Sequence, residues 1–283
     1  MIDLHTHTSC SDGTDSPREL MYAAREAGVQ MVGLTDHDTI SGWEEASSAV
    51  AATGVALVRG MELSTRFIYR ERPLSVHMLA YLFNPDDANM RRHCVRMRNA
   101  RIDRAKEMVE RLARDVDITW EDVQEQAGEH GIIGRPHIAD ALISRGVVAS
   151  REEAFERLLH PRHPYYVRQY APQTCEAIEW IVDAGGRAVC AHPLAGHRGR
   201  TVPMWAFDRM REAGLFGVEV NHRDNPETER ELLRSYIERL QLFPFGSSDY
   251  HGSGKPNVLG EYSTDRATVD ALAQGAFLEV LRP

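Results

Sequence analysis

The chain has 283 residues, with 33 basic against 42 acidic side chains and a formal net charge of −9. That length suits one large domain, or one domain with a sizeable insertion, and can bury a full core. The acidic balance argues against a broad basic surface for nucleic acid while leaving room for a small positive pocket. The four cysteines form no close pair, no leader peptide is read, and no apolar run approaches the ~18 residues of a membrane span. A reducing, cytoplasmic location with buried thiols is the expectation.

In chain order, residues 1–5 read as a first strand, followed by a helix from Pro17, a proline in its first turn, to a stop at Gly28. Residues 31–35 form the second strand, 42–52 a helix, 55–60 the third strand and 76–81 the fourth. The rhythm then breaks. Residues 86–170 are charged, rich in arginine and helical in spacing, with helices over 91–114, 120–129, 136–144 and 151–159 and no strand signal between them. Strands resume at 188–191, 217–220 and 244–247, separated by helices near 175–184, 204–213 and 227–240. This is the pattern of parallel strands joined by crossover helices, in a chain a little short for eight such units. The expected organisation is a barrel built from 1–85 and 171–283, with 86–170 as a helical cap over its mouth.

Histidines and carboxylates fall where these strands end. His5 and His7 close the first as His-x-His, with Asp12 just beyond. His37 follows the second strand and Glu62 the third, His77 lies in the fourth, His192 closes the fifth, and Asp249 and His251 follow the last. In a parallel α/β barrel all carboxyl ends share one face, so these residues converge. Strand side chains alternate, so His-x-His and Asp-x-His each send both members to one side. Taken singly, each has a plainer reading: Asp12 as a turn residue before Gly13, His77 as a core histidine, Glu62 as a solvated strand end. Their joint placement at successive termini overrides those readings. Imidazole with carboxylate suits Mn, Fe or Zn, and nine such donors exceed the needs of one ion, so a site of two or three ions with a bridging carboxylate is implied.

Together, His5-Thr6-His7, Ser11-Asp12-Gly13, Thr35-Asp36-His37-Asp38, Gly60-Met61-Glu62, His77, His192-Pro193 and Ser248-Asp249-Tyr250-His251 resemble the polymerase and histidinol phosphatase (PHP) family of the amidohydrolase superfamily. The resemblance covers every strand and leaves out the cap. It implies a distorted seven-stranded β/α barrel, of the α/β class, holding a trinuclear centre. By the family pattern His5, His7, Glu62 and Asp249 hold one ion, Glu62, His77 and His192 the second, and Asp12, His37 and His251 the third. Within the family, the length and the position of the insertion are most similar to bacterial nucleoside 3′,5′-bisphosphate phosphatases and a related 5′-to-3′ exoribonuclease. Only two of the basic residues are lysine; Lys106 falls in the insertion and Lys255 beyond the last motif, so a carboxylated lysine bridge is disfavoured and Glu62 is the bridging candidate.

The substrate needs further groups at the same mouth. Arg135, at a predicted helix start, could hold a phosphate with the helix amides. His222 is expected to be a phosphate donor or general acid, and His197 likewise; Arg98 and Asn99 would reach the mouth if the cap folds over it. The expected reaction is removal of the 3′-phosphate of a nucleoside 3′,5′-bisphosphate such as adenosine 3′,5′-bisphosphate, by in-line attack of a hydroxide bridging two ions, most plausibly Mn2+, with Fe2+ or Zn2+ as alternatives. No Cys or Ser lies in a recognisable nucleophile motif, which supports direct attack by water. The alternatives are an exoribonuclease acting on short 5′-phosphorylated RNA, a histidinol-phosphate-type phosphatase, and a non-catalytic scaffold. Neither a membrane nor an obligate protein partner is expected.

Overall fold

A computed structural model describes residues 1–70, 72–127, 133–168, 170–196 and 200–283. Seven strands form one sheet in sequential order: β1 (Ile2–Thr6), β2 (Met31–Leu34), β3 (Ala56–Tyr69), β4 (Arg72–Tyr81), β5 (Arg187–Cys190), β6 (Gly217–Asn221) and β7 (Phe243–Gly246). The sheet nearly closes into a barrel. Beyond β7, Tyr250 bridges Thr6 in parallel, and Tyr250 O accepts the N–H of His7 at 2.8 Å. Lower in the same seam Thr264 stitches both edges, its N–H donating to Ile2 O and its hydroxyl to Gly246 O.

One expectation about direction fails. The strands are not all parallel: β4 runs antiparallel to both β3 and β5. The third strand does not stop at Glu62 but continues to Tyr69 and returns directly as β4. From Thr65 onward the buried and exposed residues alternate through Arg66, Phe67 and Ile68, the signature of a half-buried strand, and no Gly or Pro interrupts it. Arg70, at φ 46°, supplies the positive φ that a tight reversal needs. The polar residues after Met61 suggest a strand end because they are hydrophilic, yet Glu62, Ser64 and Thr65 are buried, Ser64 accepting from Arg101 and Thr65 donating to Val76 O beside Thr174.

Among the described residues ten helices flank the sheet and build the 86–170 insertion: α1 (Pro17–Glu26), α2 (Trp43–Thr53), α3 (Ala88–Leu112), α4 (Trp120–Ala127), α5 (Arg135–Ser144), α6 (Arg151–Ala154, running into a π-helical turn over Phe155–Leu159), α7 (Thr174–Asp183), α8 (Ala206–Glu212), α9 (Glu227–Arg239) and α10 (Arg266–Ala273). The predicted 120–129 helix extends past Ala127 into residues outside those described, and α10 carries no sequence expectation. Helix α1 starts with a capping box, Ser16 accepting from the Glu19 amide while Glu19 accepts from the Ser16 amide. Helix α3 is about 37 Å long at 1.5 Å per residue and serves two bodies. Its Met90 joins the core between barrel and outer helices, whereas Ala105, Met108, Val109 and Leu112 join a separate apolar cluster with Val123, Ile138, Leu142 and Leu159 of the cap. A third cluster, with Leu4, Met31, Val58, Leu79, Tyr81, Val189 and Phe245, comes from β1 to β5 and β7 and fills the barrel interior. Residues two apart share a strand face, so Val58 and Gly60 lie below Glu62, and Leu79 and Tyr81 below His77. The polar mouth rests on a dry floor.

Candidate metal centre

All nine ligand candidates arrive at this mouth. The Nε2 atoms of His5 and His7 lie 3.0 Å apart, as the alternation of the strand requires. Glu62 is central: its Oε2 lies 3.2 Å from His5 Nε2, 3.0 Å from His7 Nε2 and 3.3 Å from His37 Nδ1, and its Oε1 lies 2.7 Å from His77 Nδ1 and 3.4 Å from His192 Nε2. Asp249 Oδ1 stands 3.3 Å from both His5 and His7 Nε2. Asp12 is 3.2 Å from His251 Nε2 and 3.9 Å from His37 Nε2. The donor atoms form three compact groups, His5-His7-Glu62-Asp249, His7-Asp12-His37-His251 and His37-Glu62-His77, and Asp249 also stands in a fourth with His222 and Asp224. His192 stands next to the third through Glu62 Oε1. His77 reaches the mouth from the entering half of an antiparallel strand, not from a strand's carboxyl end.

Three carboxylates that the sequence reading passed over hold these ligands in place. Glu219 on β6 is fully buried; its Oε1 accepts from His5 Nδ1 at 2.9 Å and its Oε2 from the His192 amide at 2.8 Å. That bond puts the His5 proton on Nδ1 and turns Nε2 toward the site as a free donor pair. Asp36 accepts from the Thr8 amide (2.7 Å), the Thr8 hydroxyl (2.6 Å) and the Ser11 hydroxyl (2.6 Å), which pins the loop carrying Asp12. Asp3 accepts from the amides of Ser248 (3.0 Å) and Gly260 (2.9 Å), fixing the loop that carries Asp249. The signal for Glu219 was present: a lone carboxylate inside Gly-Val-Glu-Val must find a partner if that strand is buried. Replacing it, as Glu219→Gln, should weaken metal binding by about 10- to 100-fold with little change in fold, read by chelator competition against the wild type.

Burial and mutual proximity set the charge states without any ion. Burial alone would raise Glu62 and Asp12, but the imidazoles around them, His37, His77 and His5 for Glu62 and His251 and His37 for Asp12, hold both well below the usual carboxylate range. Burial opposes charge on His7, yet the carboxylates of Asp249 and Glu62 push it up to about 9. Burial wins at His251, which falls to about 4, and at His37. The donor set fits divalent cations on an observation of its own geometry. Glu62 Oε2, His37 Nδ1 and His251 Nε2 are buried and make no hydrogen bond, although partners stand within about 3.3 Å, because their lone pairs face a common space and not one another. Among the described residues no cysteine joins the groups, so the donors are imidazole and carboxylate alone, a mixture that suits Mn, Fe or Zn.

Comparison with known proteins agrees with this geometry. A PHP domain profile matches residues 3–92. Over 255 residues, 90% of this chain and 88% of the relative, the sequence is 29% identical to a 3′,5′-nucleoside bisphosphate phosphatase of Chromobacterium violaceum. Over 251 residues, 88% of this chain and 89% of the relative, it is 30% identical to a 5′-3′ exoribonuclease of Haemophilus influenzae. A crystal structure from Bifidobacterium adolescentis, named for a metal-dependent phosphoesterase activity, superposes with a TM-score of 0.92 at 42% identity, covering 97% of this chain and 96% of that one. The chain belongs to the PHP family. It is an enzyme, a metal-dependent phosphoesterase.

Around the PHP centre, the residues expected to meet substrate are divided. His222 follows β6 and is fully buried, its ring 5.2 Å from that of His192 and 6.5 Å from that of His5. Its Nδ1 accepts the Asp224 amide at 3.1 Å, so the neutral ring carries its proton on Nε2. Arg135 opens α5, with its guanidinium 5.2 Å from the Phe155 ring centre and 5.7 Å from that of Tyr166. His197 lies outside the described residues. Arg98 and Asn99 are exposed on α3, and Arg98 lines a flank groove with Ile40, Met90 and Cys94. The arginine that α3 brings to the mouth is Arg101, one turn further on; its Nε donates to Asp38 Oδ2 and its terminal nitrogen to Ser64 Oγ, both at 2.7 Å. Lys255 also departs from expectation. The loop after β7 folds it back to the mouth, where Nζ lies 3.1 Å from Asp249 Oδ2. Glu62 belongs to two of the donor groups, as do His7, His37 and Asp249.

Proposed function

We propose that this PHP enzyme removes the 3′-phosphate from nucleoside 3′,5′-bisphosphates. The observation that carries the reading is a second cationic subsite across from the ligand groups. Arg101, Arg104 and Arg135 are neighbours: burial first, then Arg135 and Arg101, lower the ionisation of Arg104, burial and then Arg101 lower that of Arg135, and Arg101 pairs with Asp38. A substrate with two separated phosphates matches two separated sites, one at the ligand groups and one under the cap. The similarity to a nucleoside bisphosphate phosphatase supports the same reading. The cap favours a small substrate over a long strand: it meets the rim at Arg101 on one side, and on the other a Cβ at Gly254 would come within 2.9 Å of Arg151.

In this reading His5, His7, Glu62 and Asp249 hold one divalent ion, Glu62, His77 and His192 a second, and Asp12, His37 and His251 a third, with Mn2+ first and Fe2+ or Zn2+ as alternatives. Such ions lower the pKa of water to supply a nucleophile at neutral pH and neutralise phosphoryl charge. Arg135 and Arg101 anchor the distal phosphate. His222 offers its Nε2 proton to the departing 3′-oxygen. The location is cytoplasmic, in keeping with four cysteines that are free and at least half-buried; no described helix is long and apolar enough to cross a membrane.

The test sets adenosine 3′,5′-bisphosphate against a 5′-phosphorylated RNA oligomer, each with metal-loaded protein. The expected result is AMP and phosphate from the first, at a kcat/KM at least about tenfold above that for RNA, with inversion at isotopically chiral phosphorus. Preference for the oligomer would replace this reading with the exoribonuclease one. Net retention of configuration would demand a covalent intermediate.

A further inference from the structure

Asp249 is a buried carboxylate whose two oxygens face different surroundings. Its Oδ1 looks inward, 3.3 Å from each of His5 and His7 Nε2, while its Oδ2 lies 3.1 Å from the ammonium of Lys255, and donor atoms of His222 and Asp224 gather within 4.8 Å of the carboxylate. Glu62 differs, since both of its oxygens face imidazoles. The loop that delivers Lys255 is firmly built. Gly252 sits at φ 64°, and a Cβ there would fall 2.0 Å from Thr14 Oγ1; the Ser253 amide donates to that hydroxyl at 2.9 Å. The Gly254 amide donates to His251 O at 3.2 Å, and Asn257 Nδ2 donates to Ser248 O at 2.6 Å. The choice of cation is informative too. The chain has two lysines among 33 basic residues, and one of them stands here. An ammonium is a point charge that can hold one oxygen, whereas a guanidinium fork tends to take both.

We propose that Lys255 is a positioning residue of the metal centre. It anchors Asp249 through Oδ2, so that Asp249 presents only Oδ1 and serves a single ion, leaving Glu62 as the carboxylate shared between ions. The proposal rests on the reading that His5, His7, Glu62 and Asp249 hold an ion.

The test is metal binding to the full-length protein, measured as Mn per chain after dialysis and by chelator competition. Lys255→Met should lose one ion that the wild type retains, with that ion's affinity about 10- to 100-fold weaker. Its kcat should fall with occupancy and recover in excess Mn. Wild-type affinity in Lys255→Met would overturn the proposal, as would tighter binding, which would mean that the ammonium only repels the ion. Lys255→Gln, read the same way, serves if the Met variant does not fold. Asp249→Ala, run alongside, separates the two levels. If it keeps every ion, the ligand assignment itself fails; if it loses one while Lys255→Met keeps all, only the role of Lys255 fails.

Discussion

Glu62→Gln should lower kcat by about a thousandfold or more, on the order of 4 kcal/mol in the barrier, while the barrel stays folded. The amide keeps the shape of the carboxylate and replaces one acceptor oxygen by a donor. At this position that exchange is damaging, because both oxygens face imidazoles: His5, His7 and His37 on one side, His77 and His192 on the other. The –NH2 group would point at a nitrogen lone pair or at an ion, and the negative charge binding two groups together would be gone. Asp249, the other carboxylate beside His5 and His7, has its second oxygen 3.1 Å from Lys255 Nζ. Turnover of a bisphosphate, together with metal per chain, provides the measurement. A Gln variant keeping a tenth of the wild-type kcat at reduced metal content would show that Glu62 is not the shared ligand.

Arg135→Met should cut kcat/KM for adenosine 3′,5′-bisphosphate by about 10- to 100-fold, roughly 1.4 to 2.8 kcal/mol, mostly through KM. Methionine keeps an apolar stem of similar length and removes the guanidinium, along with its contacts to the Phe155 and Tyr166 rings. The informative comparison is a simple phosphomonoester with no second phosphate, such as an aryl phosphate, for which the same variant should change kcat/KM by less than about threefold. Equal losses on both substrates would place Arg135 in support of the cap and not in contact with a distal phosphate.

The centre was unusually legible because its ligands are fixed by local rules. Strand side chains alternate, so His5 and His7 share a side as soon as they end a strand, and no long-range information is needed to pair them. Asp249 and His251 differ: they follow β7 in a loop where Asp249 sits at φ 56°, so strand alternation does not place them. Placement of the strands came from hydrophobic runs, and their order around the barrel follows the order along the chain, so successive termini became neighbours. Glu62 and His77 were found for a reason only partly right. They were read as belonging to parallel strands, whereas β3 and β4 form a hairpin in which Glu62 pairs with Leu79 and His77 with Ser64. His77 stands in the first half of β4, so it reaches the mouth because β4 runs antiparallel; a parallel strand would have carried it toward the other end of the barrel.

What was missed lies where one partner says nothing about the other. Glu219 and His5 are 214 positions apart, and nothing in Gly217-Val218-Glu219-Val220 names His5. Arg101 was one among many arginines on α3; the helix phase and the point at which it rises above the barrel decide which of them meets Asp38. Lys255 was set aside because it stands after the last motif, yet a turn through Gly252 brings it back against Asp249.

By itself, then, the sequence determined the ligand types, their assignment to strand ends and the presence of a helical insertion, because side-chain chemistry and the two-residue and 3.6-residue periods are local properties of the chain. Tertiary structure alone decided the direction of β4, the use of α3 by both barrel and cap, and the partners of Asp249 and His5. Those depend on which distant segments share a buried space, where each polar group must find a counterpart, and the chain's local pattern does not record that.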